Sequence, residues 1–424
     1  MARSTPGLLG LILTVLLVLG LATGAAGVAD VTVRTARVAD VADRGGPLAV
    51  AAQEIYHSLA EADATVAITF LSAEQEPVSL RQRYQTNLTE VSDLLVTVAA
   101  RVPATGPSAD AVAVLSVNLP VYTGLVETAR VYNRQSLPLG AAYLREASWL
   151  MRDTLLPAAR TLWLEETERM QQARQEATSV PWFALTVGAL TLVALGAAQV
   201  FLTRRTRRLI NPGLAAATVA ILAAVTWLAV SWAGVVRHLE AGHQHGAVQV
   251  SYLAEARTAV ASARASEALE LIARSGGGEY EQEFTAAMEQ LLGEDGYLAR
   301  TLASLGGEDT SDNQIRQLVT LAVTIAEQWR DSHAEVRHLD DRGDYRGAVE
   351  LATGTDDPAS TGVLATRLDE HLASALEVAS STFTDESSAA MAALDGAAIA
   401  VGVLSGLAIA ASAIGLQRRI AEYR

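Results

Sequence analysis

The chain has 424 residues, half of them hydrophobic, and a formal charge of −15 from 47 acidic and 32 basic residues, every basic one an arginine. That hydrophobicity is high for a soluble chain and points to membrane spans. Cysteine is absent, which excludes disulfides, thiolate metal sites and cysteine nucleophiles.

Four apolar runs stand out: Gly7 to Val28, Trp182 to Leu202, Leu209 to Val236 and Gly396 to Leu416. Each is near or above the roughly 20 residues that cross a bilayer as helix. The predicted order is an N-terminus with transmembrane helix 1 over 1–29, an extracytoplasmic domain over 30–181, transmembrane helix 2 over 182–202 and a turn over 203–208. Transmembrane helix 3 over 209–236, a second extracytoplasmic domain over 237–395, transmembrane helix 4 over 396–416 and a tail over 417–424 follow. The turn carries Arg204, Arg205, Arg207 and Arg208, and the ends carry Arg3, Arg418, Arg419 and Arg424, so the positive-inside rule places turn and both termini in the cytoplasm of a multi-pass cell-membrane protein. Met1 to Ala26 also meets the description of a cleaved signal peptide, and either choice leaves the first domain outside. Those eight arginines less Glu422 amount to about +7, leaving about −22 for the remainder. Nucleic-acid binding is therefore not expected, because the acidic exterior repels phosphate and the basic clusters lie against membrane lipids.

Between the first two spans, apolar residues recur at helical spacing in four segments: Ile55, Leu59, Ala62, Val66 and Phe70; Leu80, Tyr84, Leu88, Val91, Leu95 and Val98; Leu115, Leu119, Tyr122, Val126 and Ala129; Leu144, Ala147, Met151, Leu155, Ala158 and Leu162. Breakers separate them at Ser72 to Pro77, Val102 to Asp110 and Arg134 to Gly140, which predicts an up-down-up-down four-helix bundle with kinks at Gly45-Gly46-Pro47, Pro120 and Pro157. Residues 237–395 repeat the plan. Ser58 to Ala62 matches Tyr252 to Ala256, Leu80 to Tyr84 matches Tyr280 to Phe284, and Asn133 to Ala141 matches Asp341 to Ala348. Here the fourth helix is expected to break at Thr353 to Pro358 and restart with Asp357 as cap. The two copies are expected to pack side by side. The fold class is thus an all-α membrane protein with four transmembrane helices and two extracytoplasmic four-helix bundles in tandem.

No dinucleotide fingerprint, Walker loop or nucleophile elbow is present. No enzyme activity, cofactor or metal is expected. Of His238, His243 and His245 just outside the third span, His243 and His245 lack the i, i+4 spacing that puts two ligands on one helical face, and the three read as hydrated membrane-proximal residues. His333 and His338 read as surface positions, and Asp340-Asp341 and Asp356-Asp357 read as turn and cap residues. The stretch around Tyr132, Arg134, Tyr143 and Arg145, with Arg81, Arg83 and Tyr84 near the other distal hairpin, is rich in the residue types that anchor interfaces, and these seven form the expected partner- or ligand-binding site. The alternative is that Arg145 is a surface charge while Tyr143 packs the bundle. Arg204, Arg205, Arg207, Arg208, Arg418 and Arg419 are the expected cytoplasmic readout, or serve only to fix topology.

A span, a helical bundle and a second span resembles the sensor half of bacterial chemoreceptors twice over, without the signalling domains that follow there. The whole plan, with its four runs, the Thr203 to Arg208 turn and duplicated exterior domains, looks like the GlnX-type membrane proteins of high-GC Gram-positive bacteria. That resemblance implies a relay of amino-acid status from an extracytoplasmic solute-binding protein to a cytoplasmic serine/threonine kinase. Direct small-ligand sensing and a non-signalling envelope scaffold are the alternatives.

Overall fold

The computed structural model describes residues 5–71, 77–206, 211–274, 277–307, 310–355 and 357–421, and among the described residues there is no strand. The chain is all-α. In order the helices are α1 (Thr5–Ala39), α2 (Gly46–Leu71), α3 (Val78–Ala99), α4 (Pro107–Arg134), α5 (Leu139–Leu150), α6 (Leu156–Thr178), α7 (Trp182–Thr206) and α8 (Pro212–Gly242). Then come α9 (Val248–Ala273), α10 (Gly278–Leu292), α11 (Tyr297–Ser304), α12 (Thr310–Asp341), α13 (Tyr345–Thr353), α14 (Thr361–Ala392) and α15 (Ala397–Ala421). Two compact units result: Met1–Asp43 with Gln171–Glu240 and Glu386–Arg424, and Arg44–Met170 with Ala241–Asp385.

The first unit gathers the four apolar runs around Leu16, Leu195, Leu214, Ile221 and Leu416. Small residues set its closest approach. A Cβ on Gly20, Gly24 or Gly27 of α1 would lie 2.9 Å from Ile409, 2.9 Å from Ser405 or 2.6 Å from Val401 of α15, so side chains there are excluded. The Thr23 and Thr191 hydroxyls join α1 to α7 at 2.8 Å, and Asn211 Nδ2 donates to the Gly415 carbonyl at 3.1 Å. Outward, Leu11, Val18, Leu21, Val193, Val219, Val230 and Ile399 are exposed, a surface suited to hydrocarbon rather than water. These helices are candidate membrane spans. Helix α4 is also long and apolar enough, giving five such helices among the described residues; its buried face, however, carries Leu115, Leu119, Tyr122 and Val126 into the core of the second unit.

In the second unit, α2 to α6 enclose a core of Ile55, Leu59, Tyr84, Leu115, Tyr122, Leu144, Met151 and Leu162. A second core of Leu253, Val260, Phe284, Met288, Ile315, Trp329 and Leu368 lies among α9, α10, α12 and α14. Helices α2 and α9 run against one another, joined by the buried Glu61–Arg264 pair. The expected kinks take a specific form. Wide π-turns at Asp40–Gly45 and Met151–Leu155 directly precede Pro47 and Pro157, accommodating rings that cannot donate to the helix ladder. On α6 it is Ala159 and not the expected Ala158 that is fully buried, between Leu155 and Leu162, which are buried as expected. Pro120 leaves α4 continuous.

Several expectations need correction. A third π-turn, His243–Ala247, has no proline to announce it, although Gly246 is pressed against Phe383. Helices α2 and α9 each follow a π-turn and each span 26 residues. Gly293 and Gly296 split the second helix of this half into α10 and α11. The break near Thr353 is present, but Asp357 accepts from the Ala359 amide and caps only a turn, and the helix proper starts at Thr361 after Ser360. Asp356 lies outside the described residues.

Candidate functional site

Steps of three and four send Ile55, Leu59, Ala62 and Val66 of α2 into one core, which leaves Glu54, His57 and Glu61 for another face. That face meets α9. Arg264 Nη1 donates to both Glu61 oxygens at 2.9 and 3.1 Å, and both side chains are buried. Arg83 adds a 3.5 Å contact to the same carboxylate. Two turns back, Arg257 donates through Nε and Nη2 to Asp369 of α14 at 2.8 and 3.2 Å. His57 is buried in this seam, where burial and then the Arg257 guanidinium push its imidazole down to about 4. Asp63, fully enclosed, accepts from Ser148 Oγ at 2.9 Å and Tyr122 Oη at 3.2 Å, while burial pushes its carboxyl up. Arg152 pairs with Glu283, which also accepts from Ser266 at 3.1 Å. The seam is therefore polar and hydrogen-bonded, where a packed core would have been apolar.

A second buried cluster centres on His333 of α12, which is 4% exposed and not the surface residue expected from sequence. Its Nδ1 meets Glu267 at 2.8 Å and its Nε2 meets Glu281 at 3.0 Å, while the ring stacks on Phe284 with centroids 3.6 Å apart. Burial alone would lower the imidazole; hydrogen bonds to Glu267 and Glu281 overcome it and raise the group to about 9. Glu267 also accepts from Thr361 Oγ1 at 2.7 Å. Glu270 is buried beside Arg337 Nη1 at 2.9 Å; burial and the facing Glu281 raise its carboxyl. His338, in contrast, is exposed as expected.

The expected partner-binding residues divide. Tyr132 and Tyr143 stack on one another, 5.6 Å between centroids and 5° between planes, tying the ends of α4 and α5 together. Arg134 and Arg145, each two residues further along, are exposed. Tyr84 is instead a core residue, with the Arg130 guanidinium 4.4 Å over its ring, and burial pushes its hydroxyl up. Arg83 belongs to the seam through Glu61, and Arg81 is half-buried. Of the cytoplasmic set, Arg204 and Arg418 are exposed; Arg207 and Arg208 lie outside the described residues, as do the side chains of Arg205 and Arg419. The Glu61–Arg264 pair, Asp63 and the His333 cluster escaped sequence reasoning. Their clearest signal is the recurrence of Arg264, Glu267 and Glu270 at steps of three on the alanine-rich α9.

Residues 37–175 match the family model of the actinobacterial sensor domain. The match covers roughly a third of the chain, from the end of α1 through α2 to α5 and most of α6. No curated protein and no solved structure matches the chain. The stretch similar to the sensor domain contains Glu61, Asp63, Tyr84, Arg130, Tyr132 and Tyr143, and thus the first core and one side of the seam. Together with the candidate spans, the match supports a sensing or signalling role.

Proposed function

We propose that the protein is a transmembrane sensor in which α1, α7, α8 and α15 cross the cell membrane, both bundles stand outside, and the Thr203 to Arg208 turn and the tail lie in the cytoplasm. One observation carries the reading. The sensor-domain match at 37–175 falls between two apolar helices, the placement of an extracytoplasmic module held by spans on both sides. The helical runs Leu8–Leu71, Leu139–Arg204, Pro212–Ala273 and Thr361–Arg418 each carry the chain from one unit into the other. A binding event outside then has a covalent route inward through small helix shifts between discrete packed arrangements.

The second bundle is read as a diverged duplicate of the first. Tyr84 and Phe284, paired by the sequence repeat, are both core residues of a second helix, and each has a side chain of the third helix on its ring, Arg130 in one and His333 in the other. The solvent-facing Arg134 and Arg145 beside the Tyr132–Tyr143 stack suit a protein partner, proposed as a solute-binding protein reporting amino acids. The arginines of turn and tail are the proposed contact for a serine/threonine kinase. The test is a pull-down of the detergent-solubilised protein from its native envelope with and without glutamate or glutamine. Recovery of a solute-binding protein, lost in an Arg134→Glu/Arg145→Glu variant, is the expected outcome; equal recovery by the variant would remove the distal site from the proposal.

A further inference from the structure

Helix periodicity puts Glu267 and Glu270 one turn apart on α9, and α10 and α12 bring Glu281 and His333 against the same turn. One donor atom each of Glu270, Glu281 and His333 lie within 4.8 Å of one another, and Glu270 and His333 are buried. The donors of a tetrahedral Zn²⁺ sit about 3.4 Å apart, as follows from bonds of roughly 2.0–2.2 Å, so a small contraction closes the group around an ion.

Orientation is the stronger observation. His333 Nδ1 is anchored on Glu267, itself held by Thr361 Oγ1, which leaves Nε2 as the atom aimed at Glu281. A carboxylate holding one imidazole nitrogen while the other faces further donors is how metal-ligating histidines are fixed in tautomer and direction. Phe284 covers one face of the ring. Ligation requires the neutral imidazole, and once its proton is displaced Glu267, Glu270 and Glu281 against the single Arg337 guanidinium sum to −2, the charge that a divalent cation balances. Arg337 has an alternative as well: Asp340 and Asp341, three and four residues on, are already 3.4 and 3.3 Å from it. It can release Glu270 and Glu281 without becoming unpaired.

We propose that Glu270, Glu281 and His333 form a binding site for a divalent transition-metal ion of the Zn²⁺ class, with Glu267 and Thr361 as positioning residues. The site belongs to the second half alone. The matching turn of α2, Thr65 to Thr69, has no carboxylate, and Arg130 stands where His333 does. A bound ion ties α9, α10 and α12 together and, through Glu267 and Thr361, fixes the start of α14.

The test uses full-length protein in detergent, titrated with Co²⁺ as a visible-absorbing substitute and then with Zn²⁺ as competitor. One Co²⁺ per chain with d–d absorption of a low-symmetry site, displaced by Zn²⁺, is expected. His333→Gln abolishes the band, and Glu267→Gln, which retains all three ligands, weakens binding 10–100-fold. Glu281→Gln, on a partly exposed residue, serves as the loss-of-ligand variant if His333→Gln does not keep wild-type helicity by circular dichroism. Absence of a band in the wild-type protein, or a band unaltered in the ligand variants because His243 and His245 or other groups bind the ion, overturns the proposal.

Discussion

Removing Arg264 should expose how the two bundles are held together. Its guanidinium is 5% exposed and donates twice to Glu61, so Arg264→Met leaves a carboxylate 8% exposed with Arg83 as its remaining cation, 3.5 Å away on a side chain open to solvent. Breaking a buried pair from one side costs about 3–5 kcal/mol; Arg83 offsets a part, and about 3 kcal/mol is expected for the loss. At roughly 2–4 °C per kcal/mol for a unit of this size, the melting temperature should fall by about 6–12 °C. Glu61→Gln combined with Arg264→Met removes both charges and should bring the loss back to about 1 kcal/mol or less. Thermal unfolding of the wild type, both single variants and the double variant in one detergent completes the cycle. If the single losses simply add in the double variant, the pair is not a buried ion pair and the α2–α9 contact is not what joins the bundles.

Acidification tests His57. The unfolded imidazole titrates near its ordinary 6.5 and the folded one near 4, so the unfolded chain binds the proton first as the pH falls. Stability should therefore be level above about pH 6.5 and decline between about 6.5 and 4 by up to about 3 kcal/mol. Denaturation midpoints in that window should lose the His57 share of the slope in His57→Asn, and an unchanged slope would assign it to other groups. In α1, Gly24→Ala puts a methyl 2.9 Å from Ser405 Cβ and should cost about 1–3 kcal/mol, whereas Gly10→Ala, with nothing within 4 Å, should be neutral. Equal melting temperatures for the two variants would contradict the close α1–α15 contact.

Periodicity and breakers made the helices legible. Spacing alone assigns Leu59, Tyr122, Leu144 and Met151 to cores, and all are buried. The π-turns are not legible at this level, since one extra residue in a turn changes no letter. The Gly20-to-Gly24 spacing in α1 is a helix-packing stripe, a feature that length and hydropathy alone do not reveal. Charged residues were the real obstacle. Sequence puts Glu61, Asp63, Arg264 and His333 on helices, and solvent is the default partner for such residues. Only the approach of a second helix turns Glu61 into the acceptor for Arg264 and His333 into the centre of three carboxylates. Tyr84 carries two readings, the apolar stripe by its spacing and the binding set by its neighbours Arg81 and Arg83, and its burial follows the first.

Membrane orientation is the central claim, and single cysteines test it directly because the chain has none of its own. Introduced at Thr105, between α3 and α4, at Gly307, between α11 and α12, and at Thr206, at the end of α7, they can be challenged in intact cells with a membrane-impermeant maleimide. Labelling of the Thr105→Cys and Gly307→Cys proteins, with Thr206→Cys reacting only after the cells are broken, is the expected result. Labelling of Thr206→Cys in intact cells, or protection of either of the other two, would contradict two sensor bundles held outside the membrane.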